Sequence, residues 1–209
     1  MRVTAHTKNA TRQRILDVAR KQFAQGGFEA TTTRDLAQAA EIAVGTLFNY
    51  FPTKESIVEC LVTDACARAA EVFDADSSEA DESLSSEEDL FAHVAAILRK
   101  LKPYRRYLPA ILETTLSPLA HSGAGGDQSA LRVSHLEQVT QIASRHGRQE
   151  SLTPVALQLY WTLYTGVLVF WAQDRSPRQE DTLALLDQSL AMFVGWLTAS
   201  PTVSQTNPQ

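Results

Sequence analysis

Between residues 43 and 54 the chain spaces a hydroxyl, an amide, a phenol and a cation so that they could meet a polyanion. The run Val44-Gly45-Thr46-Leu47-Phe48-Asn49-Tyr50-Phe51 mixes apolar anchors with polar groups. Thr46 brings a hydroxyl and a methyl, suited to a phosphate oxygen or a thymine methyl. Asn49 can pair through its amide with two atoms of adenine or donate to phosphate, and Tyr50 adds a phenolic hydroxyl. Gly45 carries no side chain, so another backbone can approach closely there. Lys54 falls in the first turn of the next expected helix, where its charge and the free N–H groups both suit phosphate. Phe48 has no hydroxyl to offer and is expected to pack inside.

The residues that would support catalysis are dispersed. His6, His93, His121, His135 and His146 show no ligand spacing such as two histidines four apart on one helix. No serine sits in a nucleophile elbow, and no glycine-rich phosphate loop follows a strand. No catalytic centre, metal or cofactor is expected. Cys60 and Cys66 lie six apart in a helical pattern, so they point to different sides and are expected to be free thiols in a reducing cytoplasm.

The elements that would position these groups are helices. Ile15, Leu16, Ala19 and Phe23 form one stripe, ended by Gly26-Gly27. Thr32 with Asp35 reads as a capping box opening a short second helix. A tight connection through Ile42 leads to a third helix, Val44 to Tyr50, stopped by Pro52. Thr53 caps a fourth, Lys54 to about Phe73. Phe23, Leu36, Ile42, Leu47 and Phe51 must share one small core, because helices this short are not stable alone. Helix, turn, helix is the shape that sets a helix in a major groove.

Charge separates along the chain in the same sense. Up to Arg34 there are seven basic residues against Asp17 and Glu29, a surplus of five; the net charge is −5, so the remainder carries −10. A basic head on an acidic body fits a protein that places one end on phosphates. With 44% hydrophobic and 21% charged residues the composition is that of a soluble globular protein.

Further on, Glu71 to Asp89 is rich in serine and acid and reads in its middle as a solvated loop. Helices are expected at Leu90–Leu101, Tyr104–Leu116, Leu131–His146, Pro154–Gln173 and Arg178–Leu197, with a glycine-rich break at Ser122–Gly126. The fold class is all-α. The expected organisation is an N-terminal arm over 1–10, a helix-turn-helix domain over 11–56, a ligand-binding and dimerisation domain over 57–200, and a tail over 201–209.

The last two helices carry more apolar surface than one chain readily uses. Gly166, Phe170, Leu186, Leu190 and Phe193 are the expected contacts of a two-fold, four-helix interface. Ser151 to Gln173 lacks any charge, which leaves a membrane-associated or structural helical protein as the alternative. Gln158, Thr162 and Thr165 interrupt that stretch, and basic flanks are lacking, which favours a helix buried between protein surfaces.

From Thr11 to Leu61 the chain resembles the DNA-binding domain of the tetracycline-repressor (TetR) family. Arg14-Ile15-Leu16, Phe23, Gly26-Gly27-Phe28, Thr31-Thr32-Thr33, Leu36-Ala37, Gly45-Thr46-Leu47 and Phe51-Pro52-Thr53-Lys54-Glu55 carry the resemblance. It implies a two-domain helical fold with a divergent ligand domain, and a homodimer formed by the last two helices. It further implies that Thr33, Thr46, Tyr50 and Lys54 hold the DNA backbone, and that Arg34, Ala43, Val44 and Asn49 face base edges. Three positions depart from the family pattern: Glu41 replaces a glycine in the turn, Ala43 a serine and Phe48 a tyrosine. The function implied is a repressor released from a palindromic operator by a small, largely apolar molecule. In relatives the pocket lies among the fourth to eighth helices, where Phe91, Leu98, Tyr107, Ile111, Trp161 and Tyr164 could line it. Glu113 interrupts an apolar run there and would meet a cationic ligand, or else be exposed or paired with an arginine.

Overall fold

The computed structural model describes residues 5–79, 84–108 and 126–199. Among them are eight α-helices and no strand: α1 Ala5–Gly26, α2 Thr33–Ala39, α3 Val44–Tyr50, α4 Lys54–Glu79, α5 Ser86–Leu101, α6 Gly126–Arg145, α7 Pro154–Gln173 and α8 Glu180–Ala199. A 3₁₀ segment, Lys102–Tyr107, follows α5, and a short 3₁₀ turn, Pro177–Gln179, precedes α8.

Local chemistry sets most of the boundaries. At the end of α1 the Gly27 N–H bonds the Phe23 carbonyl at 3.1 Å with φ of 82°, a conformation that favours glycine. The Thr32–Asp35 capping box forms as expected: the Asp35 N–H donates to Thr32 Oγ1 at 3.1 Å, and the Thr32 N–H to the Asp35 carboxylate at 2.9 Å. These bonds hold the Asp35 carboxyl below its ordinary range. Thr53 caps α4 through Ser56 N–H at 3.1 Å, and Thr153 caps α7 through Ala156 N–H at 3.2 Å.

Several expected boundaries move. Helix α1 begins at Ala5, so part of the N-terminal arm is helical, with Thr11 Oγ1 donating to the Thr7 carbonyl at 3.0 Å. Helix α4 runs to Glu79 rather than Phe73, and α5 opens at Ser86 through a Ser85–Glu88 capping box. No glycine or proline interrupts 54–79, so the acidic stretch has nothing to break a helix already nucleated. After Pro103 the chain tightens into the 3₁₀ segment where an α-helix from Tyr104 is expected; residues 109–116 of that helix lie outside the described residues. Helix α6 starts at Gly126, within the expected glycine-rich break.

One core runs through the molecule. Ile15, Leu36, Leu47 and Phe51 close the three-helix head, and Ile57 and Leu61 of α4 pack into the same cluster. The division expected between residues 56 and 57 therefore falls inside the first turn of α4, which both parts share. In the body α5 packs against α4, α6 and α8, and α7 pairs with α8. By length and composition α7 and the segment 177–199 could each cross a membrane. Here α7 instead buries Tyr160, Trp161, Tyr164, Val167, Leu168 and Trp171 against the body. Both cysteines are free thiols.

Candidate nucleic-acid interface and internal cavity

Helices α2 and α3 pack together through a turn centred on Glu41, whose φ of 55° lies in the left-handed region. The Ile42 N–H bonds back to the Ala37 carbonyl at 3.0 Å, which fixes the turn. The position that departs from glycine is thus one where the backbone favours glycine. In α3, Leu47 is buried while Ala43, Gly45, Phe48 and Asn49 are exposed and Val44, Thr46 and Tyr50 half-buried. A side chain at Gly45 would meet nothing within 4 Å. Arg34 is exposed and Thr33 half-buried at the start of α2, so both short helices offer their polar groups outward.

Phe48 corrects the sequence reading. It is 44% exposed rather than packed, because at seven residues α3 has only one buried face, and Leu47 occupies it.

Lys54 has an internal role that the sequence did not suggest. Its ammonium donates to the Phe28 carbonyl at 2.8 Å and the Thr31 carbonyl at 3.1 Å, and stands 3.9 Å from the centre of the Phe28 ring. Two of its three donors brace the α1–α2 turn, leaving one for another acceptor. Tyr107 reaches the same turn from the body: the Phe28 N–H donates to Tyr107 Oη at 2.7 Å, with the rings 4.9 Å apart. Arg20 ties α1 to α4 through Asp64 at 2.7 Å.

A cavity of about 170 Å³ lies in the body among α4, α5, α6 and α7. Its floor is His93, Ile97, His135, Trp161 and Tyr164, all buried. Thr63 and Gln138, half-buried, and Ala67 and Ser134, exposed, stand at its mouth. The His93 and His135 rings are 5.2 Å apart, and His135 stacks on Tyr164 at 4.0 Å. Burial, and then His93, holds the His135 imidazole well below its ordinary range, so it is neutral near pH 7. Burial pushes the Cys66 thiol up to about 12, so it is not a thiolate there.

Of the expected lining residues, Trp161 and Tyr164 face this cavity. Leu98 is buried in the general core, Phe91 packs at its edge, and Tyr107 is engaged with Phe28, so these three do not line it. Ile111 and Glu113 lie outside the described residues. His93 and His135, weighed in the sequence only as metal ligands, and Gln138 were not expected to line a cavity, although His93 sits between the apolar Leu90, Val94 and Ile97 of one helical face.

The outer face of α7 and α8 also corrects an expectation. Leu186, Leu190 and Phe193 are buried in the chain's own core, Phe193 against Tyr160 at 5.4 Å. Gly166 and Phe170 do point outward, with Leu159 and Val169 beside them on α7 and Leu185, Met192 and Trp196 on α8. Met192 is 65% exposed and Phe170 42%. A groove of about 650 Å³ runs between the two helices on this side. The helical period decides which leucines turn inward, and α5 covers the inner side of α8.

Comparison with known proteins agrees with this architecture. Residues 15–61 match bacterial regulatory proteins of the tetR family, and residues 90–206 match a tetracyclin repressor-like C-terminal domain. Over 52 residues the chain is 46% identical to the HTH-type transcriptional repressor KstR2 of Rhodococcus jostii, covering 25% of this chain and 26% of that repressor. Over 72 residues it is 38% identical to KstR of the same organism, covering 34% and 32%. These matches span about a quarter to a third of the curated relatives' length. Thermus thermophilus FadR, a TetR-family repressor crystallised with lauroyl-CoA, shares the fold with a TM-score of 0.62 at 21% identity, covering 95% of this chain and 99% of that one. A TetR regulator from Rhodococcus sp. RHA1 does so with a TM-score of 0.63 at 18% identity, covering 90% and 97%. With both of its parts matched and the helix-turn-helix formed, the chain belongs to the tetR family of bacterial regulatory proteins, DNA-binding transcription regulators and not enzymes.

Proposed function

We propose that this chain is a cytoplasmic, homodimeric repressor that holds a palindromic operator through its two α3 helices and lets go when a small molecule enters the body. The observation that carries the reading is the outward face of α2 and α3, where Arg34, Ala43, Gly45 and Asn49 are exposed beside Thr33, Thr46 and Tyr50. Thr33, Thr46 and Tyr50 serve as phosphate partners, and the remaining N–H of Lys54 adds another. Arg34, Ala43, Val44 and Asn49 meet base edges, with Gly45 admitting close approach. Phe48, exposed beside them, supplies an apolar contact to a thymine methyl or sugar.

The second copy seats on the exposed face of α7 and α8. Leu159, Gly166, Val169 and Phe170 form one stripe at helical spacing and Leu185, Met192 and Trp196 another, which suits an isologous four-helix contact. Such a pair presents two recognition helices about 34–36 Å apart, one turn of duplex. That KstR2 and KstR are repressors supports repression here. The effector site is the cavity beneath Thr63 and Gln138. Its occupation selects a spacing of the α3 helices that no longer matches successive grooves.

The test is selection of genomic fragments on the purified protein, followed by footprinting. Two inverted half-sites centred about 10 base pairs apart and an affinity falling steeply with salt are expected. A monomer in solution, or indifference to every duplex at low salt, refutes the reading.

A further inference from the structure

If the cavity beneath Thr63 and Gln138 is the effector site, its walls also specify the effector's chemistry. We infer that the ligand is a neutral, single-ring aromatic compound bearing a hydroxyl, that is, a simple phenol. Size is the first argument. An apolar cavity of about 150 Å³ takes up one benzene, and this one, at about 170 Å³, has room for one ring and a small substituent. Shape is the second: Trp161 and Tyr164, their rings 5.5 Å apart, both line the floor, and a ligand ring packs against aromatic side chains by offset stacking or edge to face.

Charge is the third argument. Among the described residues that line the cavity there is no Asp, Glu, Lys or Arg. A carboxylate, an ammonium or a phosphate would therefore shed its water with none of these described side chains as a counter-ion to replace it. The polar atoms present are the ring nitrogens of His93 and His135, His135 being neutral near pH 7, with the Thr63 and Ser134 hydroxyls and the Gln138 amide. The Thr63 hydroxyl already gives its proton to the Glu59 carbonyl at 2.9 Å, so what it offers a ligand is a lone pair. A phenolic O–H supplies the matching donor, while its oxygen can accept from the Gln138 amide or from Ser134 at the mouth. A carboxylate, which only accepts, cannot satisfy Thr63. A long acyl-CoA would bring phosphates to walls that, among the described residues, hold no Lys or Arg.

The experiment is calorimetric titration of the full-length protein, without DNA, against five probes: p-cresol, toluene, benzoate, benzylamine and lauroyl-CoA. Saturable binding of p-cresol at one site per chain is expected, with toluene, benzoate and benzylamine each at least tenfold weaker. A site built to bond a hydroxyl rejects the analogue lacking it, because its polar groups are left unpaired. Ala67→Phe, at an exposed mouth position, should weaken p-cresol at least tenfold. The inference is overturned if toluene binds as well as p-cresol, if benzoate, benzylamine or lauroyl-CoA binds more tightly, or if Ala67→Phe binds p-cresol unchanged. Failure of the phenol alone is distinguishable from failure of the cavity reading. In the first case some other molecule releases the operator and Ala67→Phe blocks its action; in the second Ala67→Phe leaves every releasing molecule equally effective.

Discussion

Replacing Tyr107 with Phe isolates one contact between the body and the DNA-binding head. The ring remains, and with it the packing on Phe28 at 4.9 Å. What disappears is the acceptor for the Phe28 N–H, a 2.7 Å bond spanning 79 residues of sequence. A fully desolvated orphan donor costs about 1–3 kcal/mol. Phe28 is buried but Tyr107 is only half-buried, so water partly replaces the lost oxygen and the lower figure, about 1 kcal/mol, applies. At roughly 2.1 cal/mol/K per residue the unfolding entropy of a chain this long is about 0.44 kcal/mol/K, so the melting temperature should fall by about 2 °C. Hydrogen exchange gives a local reading of the same energy: the Phe28 amide should exchange about fivefold faster. Lys54 shares the turn through the Phe28 and Thr31 carbonyls, so the amides of residues 28–31 should accelerate together while those of Leu16 and Leu61 do not. Unchanged exchange at Phe28, with an unchanged melting temperature, would refute the claim that Tyr107 holds the head to the body.

Four other substitutions probe the remaining claims. Phe170→Glu places a charge twice in a two-fold interface and removes two apolar side chains, a loss of about 3 kcal/mol or more; sedimentation should show at least a hundredfold weaker dimer. Glu41→Gly relieves a left-handed backbone and should stabilise the protein by about 0.5–1 kcal/mol in denaturant titration. Lys54→Ala removes a turn brace and a phosphate partner, so the melting temperature should fall and the salt dependence of operator affinity should flatten by about one unit. A lower melting temperature with an unchanged slope would leave Lys54 as a brace only. The Asp174 carboxylate accepts from Ser176 N–H and from the N–H and hydroxyl of Thr182, the Thr182 hydroxyl foremost, which holds it well below the ordinary carboxylate range. Its stabilising effect is complete above the unfolded value near 3.8 and is lost as pH falls through the lower folded value. The difference in melting temperature between the native protein and Asp174→Asn should therefore be largest near neutrality and shrink below about pH 4.

Local rules determined the head of this protein from residue order alone. The Thr32–Asp35 box, the glycine stop at Gly27 and the Thr53 cap each close a bond within a few residues. Their geometry therefore follows from spacing, and the helices they delimit carry the residues that resemble the tetR family. The all-helical class was equally legible, because apolar period is a property of sequence. Tertiary structure decided whatever depends on which side of a helix its neighbours cover. Leu186, Leu190 and Phe193 look as suited to a partner chain as Met192 and Trp196 do, until α5 takes the inner side of α8. Phe48 reads as a core aromatic until Leu47 fills the one inward face of α3. His93 lies far in the chain from His135 and Gln138, which share one helix three residues apart, and it meets them only because α5 and α6 converge on one cavity. Tyr107 and Lys54 had plausible partners in solvent and in DNA, yet their nearest ones are backbone groups 79 and 26 residues away. Short-range hydrogen bonds are encoded in spacing, whereas the choice among partners of similar chemistry is made by which surfaces packing brings within a few ångströms.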